Sequence, residues 1–203
     1  MKKIITIILL ILLTAGCSNK EYKNPIVKME IENYGTLEIE LYPKYAPNTV
    51  ANFVNLIEEG FYDGLTFHRL VPGFVLQGGD PNGDGTGGPN YTIKGEFKEN
   101  NYSKNTLSHD TGVISMARSM NYDSAGSQFF IVLDDNENIK ASLDGKYAGF
   151  GKVTNGLEIL SEIEKNEQIE NEETGKLKKN ITIKKVSVET YGKKYKVKKN
   201  KTN

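Results

Sequence analysis

Two stretches of this chain bring together side chains that could do chemistry. The first is Phe67 to Asp80, FHRLVPGFVLQGGD, and the second is Gly126 to Ile131, GSQFFI. They supply one guanidinium (Arg69), two amides (Gln77 and Gln128) and several aromatic rings, with no convincing acid, base or nucleophile among them. That inventory suits twisting a peptide bond better than cutting one. Rotation about a peptide bond costs about 18–20 kcal/mol because the nitrogen lone pair is delocalised into the carbonyl. In the twisted state the lone pair returns to nitrogen, so a donor aimed there binds the transition state better than the planar ground state. Arginine presents such donors without titrating, and Arg69 is the only arginine in FHRLVPGF. One charge-assisted bond contributes about 1.5–3 kcal/mol, so an apolar pocket that excludes water must supply the rest. Phe74, Val75, Phe130 and Leu143 are pocket candidates, and Gln77 and Gln128 could hold a substrate backbone. By residue type alone each apolar side chain could equally belong to the core.

Other motifs fail on context. Gly83, Gly85 and Gly88 match the spacing of a dinucleotide-binding loop, but Pro89-Asn90-Tyr91 follows where a helix must start. Asp80-Pro81-Asn82-Gly83-Asp84-Gly85 matches the opening of a calcium loop, yet its twelfth position is Tyr91 instead of a bidentate glutamate. His68 and His109 are the only histidines and neither has a second ligand at metal spacing, so no metal site is expected. His68 is expected to be a packed or hydrogen-bonded strand residue. Ser108-His109-Asp110 lists the members of a hydrolytic triad, but adjacent residues on an extended chain point to opposite sides.

Period-two alternation of Val27, Met29 and Ile31, then of Leu37, Ile39 and Leu41, predicts a hairpin turning at Asn33-Tyr34-Gly35. Val50, Phe53, Val54 and Ile57 change to helical spacing, with Pro47 near the start and Gly60 beyond the end, which predicts a helix from Pro47 to Glu59. Short strands are expected at Thr66 to Val71, Phe74 to Gln77, Gly112 to Ala117, Gln128 to Leu133 and Gly149 to Val153. A second helix is expected from Leu157 to Ile163, and a closing strand from Ile181 to Glu189 with a bulge at Lys184-Lys185. Many short strands broken by Gly, Pro, Asn and Asp indicate a barrel or sandwich.

The ends carry different information. Lys2 and Lys3 precede an apolar run from Ile4 to Leu13 that is about half the length needed to span a bilayer, so it reads as a signal-peptide core. Cys17 is the sole cysteine and follows Ala15-Gly16. This resembles a bacterial lipoprotein lipobox, which implies cleavage before Cys17, a lipid on its sulfur and an extracytoplasmic protein held at the cell membrane. The alternative is an ordinary secretory signal and a structural thiol. The chain thus divides into a signal at 1–16, a lipidated cysteine and tether at 17–24, one domain at 25–190 and a basic tail at 191–203. Net charge is zero, with 26 basic and 26 acidic residues, which gives no reason to expect nucleic acid. Glutamates crowd positions 158–173, and Lys193, Lys194, Lys196, Lys198, Lys199 and Lys201 crowd the tail. The tail is expected to be a frayed, solvated terminus, with anionic lipid as the alternative contact.

Over residues 25–189 the chain resembles the cyclophilins. FHRLVPGFVLQGGD, GTGG at Gly85 to Gly88, ISMA at Ile114 to Ala117, GSQFFI, and LDGKYAGFGKV at Leu143 to Val153 occur in that family's order. The resemblance implies an all-β-dominated fold, a closed eight-stranded antiparallel barrel capped by two helices. It implies peptidyl-prolyl cis-trans isomerase activity without a cofactor. Arg69, Phe74 and Gln77 would be catalytic, and Val75, Ala117, Arg118, Gln128, Phe130, Leu143 and Tyr147 would bind substrate. The partners it implies are proline-containing unfolded or exported polypeptides, met by a monomer. Many eukaryotic members carry tryptophan before the LDG motif, histidine at the position of Tyr147, methionine at Val75 and asparagine at Arg118. Ser142 in place of the tryptophan implies weak cyclosporin inhibition. A binding module that holds proline segments without turnover is the rival; a hydrolase is disfavoured for want of a nucleophile and base.

Overall fold

The computed structural model describes residues 23–200. The signal at 1–16, Cys17 and the tether through residue 22 lie outside the described residues, as do residues 201–203 with Lys201. The opening alternation forms the expected hairpin, β1 (Ile26–Ile31) against β2 (Gly35–Leu41). Asn33 takes a left-handed φ of 67° in its turn, a conformation that asparagine tolerates well.

The later strands are β3 (Thr66–Val71), β4 (Val75–Asp80), β5 (Val113–Met116), β6 (Phe129–Val132), β7 (Gly149–Asn155) and β9 (Lys176–Glu189). They follow the hairpin in the order β1-β2-β7-β5-β6-β4-β3-β9, and β9 returns to pair with β1, closing the eight-stranded antiparallel barrel. A short β8 (Ile169–Asn171), absent from the sequence expectations, adds to β9 outside the ring. The bulge is at the expected place: Glu30 faces Lys185 and Ile31 faces Ile183, so Lys184 is the extra residue.

Helices α1 (Pro47–Glu58) and α3 (Leu157–Asn166) are the two expected caps. A third, α2 (Glu137–Leu143), corrects the count of two. Its apolar signal is only Ile139 and Leu143, one helical turn apart, too little to establish a period. What starts it is Asn136, whose Oδ1 accepts from the backbone N–H of Asn138 and of Ile139, both at 3.1 Å. The barrel core is aromatic. Phe53 of α1 sits among Tyr62, Phe150 and Phe129 at centroid distances of 4.9, 5.1 and 5.6 Å.

The first turn of α1 has no cap of its own, since Ala46 occupies the N-cap position. Buried Glu96 supplies one from a distant loop: its Oε1 accepts from Asn48 N at 3.1 Å, and its Oε2 accepts from Thr49 N and Thr49 Oγ1, each at 2.8 Å. Glu96→Ala leaves these buried donors unpaired and is expected to cost about 2–3 kcal/mol of stability. Urea denaturation measures it, and an unchanged midpoint would rule out this capping role.

Candidate active site

Arg69 faces outward because β3 is bulged. With strict alternation Phe67 and Arg69 would share a face, and Phe67 is fully buried in the barrel core. The register instead pairs Phe67 with Gly78 and Arg69 with Gln77, making His68 the extra residue and turning Arg69 away from the core. Arg69 then donates from Nε to Thr174 O at 2.8 Å and from Nη1 to Gln77 Oε1 at 3.3 Å. Gln77 Nε2 donates to Gln128 Oε1 at 3.0 Å, and Gln128 Nε2 to the carbonyls of Gly85 and Gly87 at 3.0 and 2.8 Å. Among the described residues Nη2 of Arg69 makes no hydrogen bond and is available to a bound molecule. Partial burial lowers the guanidinium pKa, but arginine stays charged.

The expected pocket residues come together on the outer face of the sheet, apart from the barrel core. Val75, Phe130 and Leu143 are buried there with Val113, Val132 and Ile139, and Phe74, Ala117 and Tyr147 pack against them half-buried. Alternation along β6 explains the division, since Phe129 and Ile131 enter the core while Phe130 and Val132 face this second cluster. Helix α2, the one not expected, covers its side with Ile139 and Leu143. Tyr147 meets Phe130 edge-to-face at 5.5 Å. Ser142 stands exposed beside Leu143 and donates to Ile139 O at 2.7 Å.

Behind Phe130 lies a hydrogen-bonded relay that residue order concealed. His109 stacks on the Phe130 ring at 6.2 Å. Its Nδ1 donates to Asp144 Oδ1 at 2.7 Å and its Nε2 accepts from Ser115 Oγ at 3.0 Å, the tautomer that a carboxylate at Nδ1 requires. Ser108 Oγ donates to the same carboxylate at 3.0 Å, while Asp110 pairs with Lys140 instead. Serine, histidine and aspartate are thus in triad order through Ser115 and Asp144, while the adjacent Ser108, His109 and Asp110 do not bond in series, as expected. Ser115 and His109 are both 0% exposed, so the hydroxyl cannot reach a carbonyl and the relay is a support for Phe130, not a hydrolytic centre.

Burial lowers the pKa of His109 from 6.5 against the opposing pull of Asp144, and it likewise lowers that of His68. His68 is packed as expected, though neither ring nitrogen has a hydrogen-bond partner among the described residues. Each imidazole therefore takes up its proton at lower pH in the folded state than in the unfolded chain, so as pH falls through about 6.5 the unfolded chain binds more protons than the folded one. Unfolding free energy should be level above that pH and decline below it. Urea midpoints across pH 8 to 5 check the sign, and a rise on acidification would contradict it.

Arg118 has its side chain braced within the fold at the edge of a cavity. Its Nη2 donates to Lys146 O at 2.8 Å, and its guanidinium lies 4.5, 4.8 and 5.1 Å from the rings of Tyr147, Tyr122 and Phe97. Its main chain follows Ala117, whose N–H donates to Gln128 O at 2.9 Å. Next to this edge a cavity of about 370 Å³ is walled by Gly85 to Pro89, Tyr91, Thr92, Ser124 and Gly126, and it adjoins the proline-pocket candidates through Gln77 and Ala117. The calcium-like loop forms part of that wall. Asp80 uses its carboxylate to accept from the backbone N–H of Asn82, Asp84 and Gly85 at 2.9, 3.2 and 2.5 Å, so it shapes the loop. The preceding Gly79, at φ 81°, has no room for a side chain: a Cβ there would lie 2.7 Å from Ser127 O.

Thr174, which orients Arg69, and the relay of Ser115, His109 and Asp144 were not foreseen. Nothing local marks Thr174, which is 105 residues from Arg69. Asp144 did carry a signal, lying in the LDG motif next to the pocket candidate Leu143.

Residues 26–188 match the family model for cyclophilin type peptidyl-prolyl cis-trans isomerase/CLD. The chain is 53% identical over 129 residues to peptidyl-prolyl cis-trans isomerase B of Bacillus subtilis, covering 64% of this chain and 83% of that protein. It is 46% identical over 140 residues to a peptidyl-prolyl cis-trans isomerase of Helicobacter pylori, covering 68% of this chain and 80% of the relative. Among solved structures it is similar to a cyclophilin type peptidyl-prolyl cis-trans isomerase of Cryptosporidium parvum determined in the presence of the dipeptide Ala-Pro. There the TM-score is 0.69 and the identity 32%, over 81% of this chain and 98% of the other. The closed barrel, the outer apolar cluster beside a clamped arginine, and a family match spanning nearly all of the barrel lead to one assignment: this chain belongs to the cyclophilin-type peptidyl-prolyl cis-trans isomerases.

Proposed function

We propose that this isomerase catalyses X-Pro rotation through Arg69 while tethered outside the cell membrane, where it meets exported polypeptides. The observation that carries the catalytic assignment is a guanidinium held by Thr174 and Gln77 at the edge of the outer apolar cluster. The substrate's proline ring rests on Phe130 among Phe74, Val75 and Leu143. The Ala117–Arg118 main chain aligns the peptide, assisted by Gln128. As the preceding carbonyl swings out of plane, the prolyl nitrogen recovers its lone pair and Arg69 donates to it. Gln77, bonded to Arg69, keeps that donor in place. Charge and pocket complement the twisted amide without any proton leaving the enzyme, and no second chain is needed, so the working unit is a monomer.

Proline-segment binding without turnover needs the rings but no donor at nitrogen. An Arg69→Ala variant that restores function in cells lacking the protein would favour binding over catalysis. The anchor rests on Cys17 behind a short apolar run. Two or more acyl chains hold a protein stably where one binds only marginally. Cys17→Ser is expected to shift the protein from the membrane to the soluble fraction, and the mature protein's intact mass should show cleavage before Cys17 together with added lipid. Retention of Cys17→Ser at the membrane would contradict lipidation.

A further inference from the structure

The lysine-rich end of the chain is docked, not frayed. From Lys193 to Asn200 it runs antiparallel along α1, with Tyr195 and Val197 packed against the core. Asn55 Nδ2 donates to Tyr195 O at 3.0 Å. Asn48 then grips the main chain of Lys198 from both sides, donating to its carbonyl at 3.0 Å and accepting from its N–H at 2.7 Å. At the end Asn200 N donates to Thr92 O at 2.8 Å, and Asn200 Nδ2 donates to Thr92 Oγ1 and Asp123 O at 2.9 and 3.0 Å. Thr92 lines the cavity beside the site and Asp123 precedes its lining residue Ser124, so Asn200 ties together the two loops that wall it.

This docking places charge at the cavity. Lys199 Nζ lies 3.9 Å from the ring centroid of Tyr91, another lining residue. The alternation that turns Tyr195 and Val197 inward leaves Lys194, Lys196 and Lys198 exposed, and Lys199 is exposed with them. None of these four forms an ion pair among the described residues. The cavity lining contains Arg118 and no aspartate or glutamate. Of the neighbouring carboxylates, Asp84 accepts from Thr86, Asp123 accepts from Gly95 N and from Asn100 Nδ2, and Glu59 lies near enough to Tyr91 to add to the effect of burial in raising its pKa. In a chain with 26 basic and 26 acidic residues, such a run is a local field and not a general charge.

We propose that the docked segment from Lys193 to Asn200 is a cationic wall of the substrate groove, which selects polypeptides carrying acidic residues near the proline. Side chains flanking the X-Pro bond reach the cavity while the proline occupies the outer apolar cluster, and glutamate or aspartate there meets the lysines. The proposal rests on the catalytic reading only for the position of the proline. Fixing the strap by hydrogen bonds gives its charge an address that a loose tail would lack, which favours a polypeptide ligand over a lipid surface.

The test measures kcat/KM of the full-length protein in neutral detergent on two X-Pro peptides that differ only in flanking glutamates or glutamines. At low salt the glutamate peptide is expected to be preferred by about fivefold, chiefly through KM, and the preference should fade as salt is raised. The quadruple variant Lys194→Gln, Lys196→Gln, Lys198→Gln, Lys199→Gln should bring the ratio to about one. A ratio that survives all four substitutions overturns the proposal. So does a ratio near one in the unmodified protein, including the case where the four substitutions instead abolish binding to phosphatidylglycerol vesicles. Failure of the catalytic reading looks different: neither peptide would be accelerated.

Discussion

Arg69→Ala is expected to lower kcat/KM for a proline-containing peptide by about 10²- to 10³-fold in a protease-coupled assay, the range seen when one transition-state donor is removed from a water-poor site. The fold should survive, because Arg69 lies on the outer surface of β3 and its partners Gln77 and Thr174 have access to water. Arg69→Lys separates charge from geometry. A lysine keeps the cation but carries all its donors on one nitrogen, so it cannot reproduce the separated Nε, Nη1 and Nη2 positions of the Arg69 fork. It should therefore recover little of the loss. Wild-type rates in Arg69→Ala would remove Arg69 from the mechanism and leave only the pocket.

Phe130→Ala should damage both stability and turnover. The ring is 4% exposed, lies at 6.2 Å from His109 and 5.5 Å from Tyr147, and shares its cluster with Val75 and Leu143. Truncation opens a cavity and is expected to cost about 3–4 kcal/mol of unfolding free energy. It also removes the surface on which a proline ring rests. Losing about 1.5–3 kcal/mol of apolar contact corresponds to about a 10- to 160-fold fall in kcat/KM. Phe130→Leu distinguishes the two effects, since it restores most of the volume without the flat face. Stability should return further than activity, and equal recovery of both would mean that Phe130 acts only as packing.

How much of this was written into local sequence depends on how far apart the interacting residues are. The β1–β2 hairpin and helix α1 follow from periods of two and of three to four, which neighbouring residues carry by themselves. The residue types at the site, a lone arginine among amides and rings, also limited the chemistry before any fold was known. Helix α2 escaped because Ile139 and Leu143 are too few to show a period, and its Asn136 cap acts only once the chain turns there.

The rest is a property of closure. Simple alternation would place Arg69 on the same face as Phe67, and only the register of β3 against β4 and β9 turns it outward. Thr174 orients it from the β8–β9 turn beside β3, and Glu96 caps α1 from a separate loop, because the barrel brings them there. The same closure buries Ser115 beside its cross-strand partner Phe130, converting a serine, histidine and aspartate set into a support. It also offers Asn48 and Asn55 as a track for the lysine-rich end. Composition alone describes that end as solvated charge. Amide side chains on a helix distant in sequence decide that it is a fixed part of the surface, since a hydrogen bond depends on where its partners are held and not on how far apart they stand in the chain.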